Sequence, residues 1–174
     1  VRIIPAVPTK PPDTPLARAR AIALRQLAAR ARTEAQIRAK LAREELGAEA
    51  DAVVAWLRGL RYLDDGAYAR ARARGLVAAG RYGPRQAARR LVQEGIAPGS
   101  ARAALAEALC EGGAPDPASA ELTLCRALAA RRARGRPLDA LDDRERARLA
   151  RFLTGRGFSG RAVAAALGVY EDGE

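Results

Sequence analysis

The sequence predicts an all-α protein, and three observations lead there. Hydrophobic residues fill 49% of the 174 positions but aromatic residues only 4%, and Val, Ile and Thr are sparse beside Ala, Leu, Arg and Glu, which is helix-forming material. Long Ala/Leu/Arg stretches run from Leu16 onward. Short punctuators break them near Thr33, Gly47, Asp64 to Gly66, Gly80 to Pro84, Gly95 to Gly99, Gly112 to Pro117, Gly135 to Pro137, Gly155 to Gly157 and Gly168, which leaves roughly nine helices of ordinary length.

The third observation is internal repetition. With Leu41, Leu91 and Leu153 as anchors, Ile37, Ala87 and Leu149 stand four residues earlier, and Leu46, Ile96 and Phe158 stand five later. Ten and fourteen residues after the second and third anchors come Ala101 with Leu105 and Val163 with Leu167; in the first unit Val53 and Leu57 keep the same step after a two-residue insertion. These positions describe an amphipathic helix, a tight Gly-containing turn and a second amphipathic helix whose apolar face meets the first. A leading helix precedes each pair, at Leu16 to Ala31, Ala67 to Ala79 and Ser119 to Ala133. The expected organisation is therefore three tandem three-helix units at 16–63, 64–111 and 119–168, with a linker at 112–118. Residues 1–15, carrying Pro5, Pro8, Pro11, Pro12 and Pro15, are expected to form an extended, mobile lead-in, and 169–174 a tail. Each unit is too small to be very stable alone, so neighbours should pack together.

Start signals agree. Thr33 with Gln36, and Asp142 with Glu145, have capping-box spacing. Pro84 and Pro98 sit where a first-turn proline loses no hydrogen bond, and Ser159 can cap the last helix.

Composition narrows function. Lys plus Arg number 31 against 20 Asp plus Glu, a net charge of +11, and only Lys10 and Lys40 are lysines. A polyanionic partner is the first inference; arginine in place of lysine by itself reflects codon usage, but the net excess does not. No run of about 18 apolar residues exists and the opening residues lack a signal-peptide core, so a soluble, cytoplasmic protein is expected. The chain begins with Val and contains no Met, as a literally translated GTG start or a fragment would. Cys110 and Cys125 stand alone in a chain without His, which argues against zinc and disulfide scaffolds; both are expected to be small buried or half-buried thiols. Neither a phosphate-binding glycine loop nor a nucleophile elbow is present, so no enzyme and no cofactor are expected. Asp64-Asp65 and Asp142-Asp143 read as helix caps in preference to a metal pair.

The arginines are the candidate binding residues. Residues 16–63 hold ten Lys/Arg against five acids, 66–111 eight against three, and 119–174 eleven against eight, so positive charge is expected to concentrate in the first two units. In the middle unit Arg70 and Arg74 lie four apart, as do Arg81 and Arg85, and Arg85 and Arg89, which aligns guanidinium groups in rows. The helix start near Gly83 adds backbone amides to that site. Arg30, Arg32 and Arg38 form a second, weaker cluster. Of the nearby tyrosines Tyr62, Tyr68 and Tyr82, Tyr82 is placed to stack on a base, while core or turn roles are the commoner use of such residues. Trp56, in phase with Val53 and Leu60, belongs to the core.

Three pieces of sequence resemble one family. They are the Leu-rich helix running into Arg30, Arg32, Thr33 and Glu34; the turn Tyr62-Leu63-Asp64-Asp65 followed by Tyr68-Ala69; and Gly83 to Ile96 closing on Gly95-Ile96. Together they are similar to the RecX family, well over Leu16 to Leu109 and over Glu121 to Leu167 through the repeat. Tyr68 stands where Phe is common, and the Gly112 to Pro117 linker is particular to this chain. The resemblance implies three tandem three-helix units in an elongated, curved body. It also implies a negative regulator that binds RecA filaments on single-stranded DNA and lowers their ATPase, strand-exchange and coprotease activities, in recombination, DNA repair and the SOS response. A monomer is expected because nothing in the sequence calls for a dimer, with double-stranded DNA bound weakly if at all. The competing expectation is a general helix-turn-helix nucleic-acid-binding or nucleoid-associated protein, which would bind naked duplex DNA without RecA.

Overall fold

The structure, a computed structural model, describes residues 14–168. Of the lead-in expected at 1–15, residues 1–13 lie outside the described residues, as does the tail expected at 169–174, while Thr14 and Pro15 already belong to the start of the first helix. Among the described residues the elements are α1 (Pro15–Ala29), α2 (Glu34–Arg43), α3 (Ala50–Gly59), α4 (Asp65–Ala79), α5 (Pro84–Gln93), α6 (Pro98–Cys110), α7 (Pro117–Arg132), α8 (Asp143–Gly155) and α9 (Gly160–Leu167), with a single 3-10 turn at Gly47–Glu49 and no strand. The three leading helices α1, α4 and α7 start one or two residues before the expected positions. The reason is local: Thr14 caps the Ala17 amide and Asp116 the Ala118 and Ser119 amides, each directly before a first-turn proline, and Asp64 caps Ala67 at 2.8 Å. Ser159 caps Ala162, and the full reciprocal box forms at Asp142–Glu145.

The described residues fall into two compact units, the first reaching to Tyr68 and including Glu94–Ile96, the second formed by Ala69–Gln93 with the residues from Ala97 on. The core of unit one gathers Leu24, Leu27, Ile37, Leu41, Leu46, Val53, Leu57 and Leu63, with Trp56 and Tyr62 half-buried against it. In unit two α5 and α6 bury Ala87, Leu91, Ala101 and Leu105, and α7 to α9 close over Cys125, Leu149, Leu153, Phe158, Val163 and Leu167. Every apolar position singled out by the repeat is buried, and the anchors Leu41, Leu91 and Leu153 are each 0% exposed. The apolar stripe recurs because burial, not helix propensity, stabilises helices this short.

The turn after the second helix of each trio is where the repeats differ. Four residues beyond the anchors, Glu45, Gly95 and Gly157 all take a positive φ, of 60°, 96° and 90°, as a helix C-terminus closing on itself requires. Glycine is demanded only where another segment nests on the turn. A Cβ at Gly95 would lie 2.2 Å from the Ala35 Cβ, and one at Gly157 2.5 Å from the Gln86 amide nitrogen. Glu45 is exposed, so a side chain is tolerated there, and the expected glycine of this first turn, Gly47, opens the 3-10 turn that follows.

Two interlocks follow. In unit one the buried Thr33 hydroxyl accepts from the Gln36 amide at 3.2 Å and donates to the Glu94 carbonyl at 2.6 Å, while the Tyr68 hydroxyl bonds the Glu94 carboxylate at 3.0 Å. In unit two Gly83 occupies the position equivalent to Thr33, and the contact is made by backbone: the Gly83 amide donates to the Arg156 carbonyl at 2.8 Å and the Arg85 amide to the Gly157 carbonyl at 3.2 Å. A Cβ at Gly83 would sit 2.4 Å from the Phe158 nitrogen.

Both cysteines are free, Cys110 half-buried and Cys125 buried. Burial, with the Glu121 carboxylate in support, pushes the Cys125 thiol up to about 11. A raised acid pKa in the folded state means that this contribution to stability is full below the ordinary thiol value and is lost as pH rises towards 11. A thiol reagent is expected to modify the half-buried Cys110 faster than Cys125, which is buried and whose thiol is pushed up to about 11. Equal rates in the folded protein, read by peptide mapping, would contradict the packing of α7.

Candidate functional site

In unit one, α1 ends on Arg30 in extended backbone, and its side chain is exposed. Arg32 is half-buried and donates to the Gln26 side chain at 2.7 Å, its Nε buried without a partner. Burial first, and then the neighbouring Arg30 charge, hold its pKa below the usual guanidinium value. Arg38 reaches across to Asp51 at 2.6 Å. Of the three residues in this expected cluster, only Arg30 is unengaged among the described residues. Arg20 lies over the Trp56 ring at 4.8 Å, so the indole is covered at the edge of the core.

In unit two, Arg70 and Arg74 stand on exposed positions of α4, and Arg74 pairs with Glu111 at 3.2 Å. Arg81 lies in the exposed turn before α5, and Arg85 and Arg89 are exposed one helical turn apart on α5 itself. Arg70, Arg81, Arg85 and Arg89 make no ion pair among the described residues. The pairs Arg38–Asp51 and Arg74–Glu111 are solvent-exposed and contribute about 0.2–1 kcal/mol each, so a multivalent anion can displace either carboxylate.

Two sequence-based expectations change here. The start of α5 is not open to phosphate, because the Gly83 and Arg85 amides are spent on the Arg156 and Gly157 carbonyls. Tyr82 is half-buried with the Arg90 guanidinium 4.2 Å over its ring and Arg156 at 5.8 Å, and its hydroxyl accepts from Arg90 at 2.8 Å. The ring is stacked on arginine, so a base would have to replace or extend that stack.

Charge is also not confined to the first two units. Residues 119–168 carry eleven arginines against five carboxylates, since three of the acids counted in this segment belong to 169–174. Where α7 turns into α8, Arg132, Arg134, Arg136 and Arg148 line a cleft of about 460 Å³ with Phe152 and Glu145. Glu145 pairs with Arg136 at 2.6 Å; the hydrogen bond from Arg136 lowers the pKa of Glu145 and raises that of Arg136. Arg132 lies 5.2 Å and Arg156 5.0 Å from the Phe152 ring, so aromatic and guanidinium groups alternate from Arg132 to Arg90. Counting charge by segment misses this cleft because its members come from two helices and the turn between them. Among the described residues no group of three His, Cys, Asp or Glu is arranged to hold a metal ion, and no helix is long and apolar enough to cross a membrane. Asp64 caps α4, and Asp65 accepts from the Glu34 amide at 3.0 Å, burial raising the pKa of its carboxyl.

Comparison with known proteins agrees with this architecture. The family model described as "RecX, first three-helix domain" matches residues 19–57, and that described as "RecX, third three-helix domain" matches 119–167. The chain is 39% identical over 160 residues to proteins named regulatory protein RecX from two strains of Thermus thermophilus, covering 88% of this chain and 94% of each relative. A crystal structure of regulatory protein RecX superposes with a TM-score of 0.71 at 25% identity, covering 90% of this chain and 74% of that one. RecX from Lactobacillus salivarius gives the same TM-score at 18% identity, with 90% and 98% covered. The identity runs through nearly the whole length and both matched three-helix domains coincide with the α1–α3 and α7–α9 trios: the chain belongs to the RecX family.

Proposed function

We propose that this protein is a negative regulator of RecA that binds the RecA filament on single-stranded DNA and inhibits its ATPase, strand-exchange and coprotease activities, without catalysis of its own. The observation that carries the reading is the 39% identity to regulatory RecX proteins over 88% of the chain. The exposed arginines supply the chemistry. Guanidinium groups at Arg70, Arg81, Arg85 and Arg89, with Arg30 and the displaceable Arg38 and Arg74, suit phosphates or surface carboxylates of a nucleoprotein filament. Arg32, half-buried and bonded to Gln26, adds its charge beside Arg30, and Tyr82 carries Arg90 stacked on its ring. Spread over the first two of three small helical trios at 16–63, 64–111 and 119–168, weak contacts reinforce one another because each raises the effective concentration of the next. Bridging neighbouring subunits in this way opposes the rearrangements that turnover requires.

Arg81→Ala combined with Arg85→Ala is expected to weaken inhibition of a RecA ATPase on single-stranded DNA by more than about tenfold, a loss of about 1.4 kcal/mol, with the circular dichroism unchanged. An identical inhibition curve would remove these residues from the mechanism. A gel shift on bare duplex DNA run beside it separates the alternative: a nucleoid-type protein binds the duplex tightly and leaves the ATPase untouched.

A further inference from the structure

Helix α5 has a second face that the core does not use. While Ala87 and Leu91 are buried, Arg85, Arg89 and Val92 recur at the steps that align on the opposite side, and Val92 is 41% exposed, one of two large apolar side chains so exposed among the described residues. The positions equivalent to Val92 in the other trios are Ala42 and Thr154, so this exposed apolar side chain is specific to α5. Beside it, α5, α6 and the start of α7 enclose an open groove of about 800 Å³ floored by Ala88, Leu105, Ala106 and Leu109.

The charges around the groove are one-sided. Arg85, Arg89 and Arg102 line it and are exposed, with no ion pair among the described residues. Its only carboxylate, Glu121, is turned to Ser159, accepting from the backbone amide at 2.7 Å and from the hydroxyl at 3.0 Å. An apolar trough with three unopposed guanidinium groups at its edge is complementary to a ligand that is apolar in the middle and acidic along its flanks. The recurring modes of peptide recognition narrow the choice. No strand edge exists here for β-addition, and no lining residue is aromatic, as a platform for a proline helix would need. We infer that the α5–α6–α7 groove is a docking site for an amphipathic α-helix of a protein partner, its leucine-type face in the groove and acidic residues on its flanks. This goes beyond the regulatory reading, since it requires neither DNA nor a filament.

The test uses the full chain and a labelled helical peptide of about 15 residues with leucine at i, i+3, i+4 and i+7 and glutamate on both flanks, followed by fluorescence anisotropy. The glutamate peptide is expected to bind at least about tenfold tighter than a scrambled peptide of the same composition. Val92→Glu is expected to abolish that preference with the fold intact by circular dichroism. Arg85→Glu with Arg102→Glu is expected to shift the preference to a lysine-flanked peptide. Equal binding of the scrambled peptide, no measurable binding of the glutamate peptide, or a Val92→Glu chain that binds as before overturns the proposal. RecA ATPase inhibition by the wild-type chain, measured in parallel, decides the regulatory reading separately: peptide binding without inhibition would sink that reading and leave the groove standing.

Discussion

Gly157→Ala is expected to destabilise the protein by about 3 kcal/mol or more. Two costs add. The residue holds φ at 90°, where an L side chain costs about 1–2 kcal/mol, and the new Cβ would lie 2.5 Å from the Gln86 nitrogen and 2.6 Å from its Cβ. The first atom it meets is backbone at the start of α5, so relief requires separating the α5 start from the α8 turn. That would break the bonds from the Gly83 and Arg85 amides to the Arg156 and Gly157 carbonyls, stranding donors at about 1–3 kcal/mol each if they stay dry. Glu45→Gly is the control at the equivalent position: nothing nests there, and the same φ argument makes that change neutral or stabilising by up to about 1 kcal/mol. Urea denaturation of both variants checks the pair, and a Gly157→Ala chain as stable as the parent would contradict the described interlock.

Leu153→Ala is expected to cost about 2–5 kcal/mol. Leu153 is 0% exposed within a cluster built from α7, α8 and α9 with Phe158, so truncation removes transfer free energy and leaves a cavity that three helices and a closing turn cannot easily collapse. Its carbonyl also receives the Phe158 and Arg156 amides, which keeps the backbone from following the shortened side chain. Val92→Ala, one position beyond the equivalent anchor of α5 and 41% exposed, is expected to change stability by no more than about 0.5 kcal/mol. Denaturant midpoints that differ by less than the error between the two variants would mean that the repeat anchors do not mark the core.

Much of this fold is legible in the sequence. The spacing of Ile37, Leu41 and Leu46, recurring as Ala87, Leu91 and Ile96 and again as Leu149, Leu153 and Phe158, reads directly as a helix, turn and helix because side-chain burial imposes that period. What the spacing does not reveal is which turn will have another segment seated on it. Thr33 and Gly83 occupy equivalent places yet make the same kind of joint by hydroxyl and by backbone, and Glu45 holds a conformation that would be assigned to glycine. The site was legible less fully. Arg81, Arg85 and Arg89 do lie on exposed surface, but whether an arginine is engaged depends on tertiary neighbours such as Asp51 for Arg38 and Glu111 for Arg74. The same limit hides the cleft around Arg132, Arg134 and Arg148, and the arginine bracket on Tyr82.

If exposed arginines hold this RecX-family chain on a recombinase filament, co-sedimentation with RecA filaments on single-stranded DNA, over a series of salt concentrations, tests it most directly. The chain is expected to pellet with the filament at low salt, to leave it steeply as salt rises, and to do so at lower salt when Arg81 and Arg85 are alanine. A chain that stays in the supernatant at every salt concentration while the filaments pellet would contradict that binding.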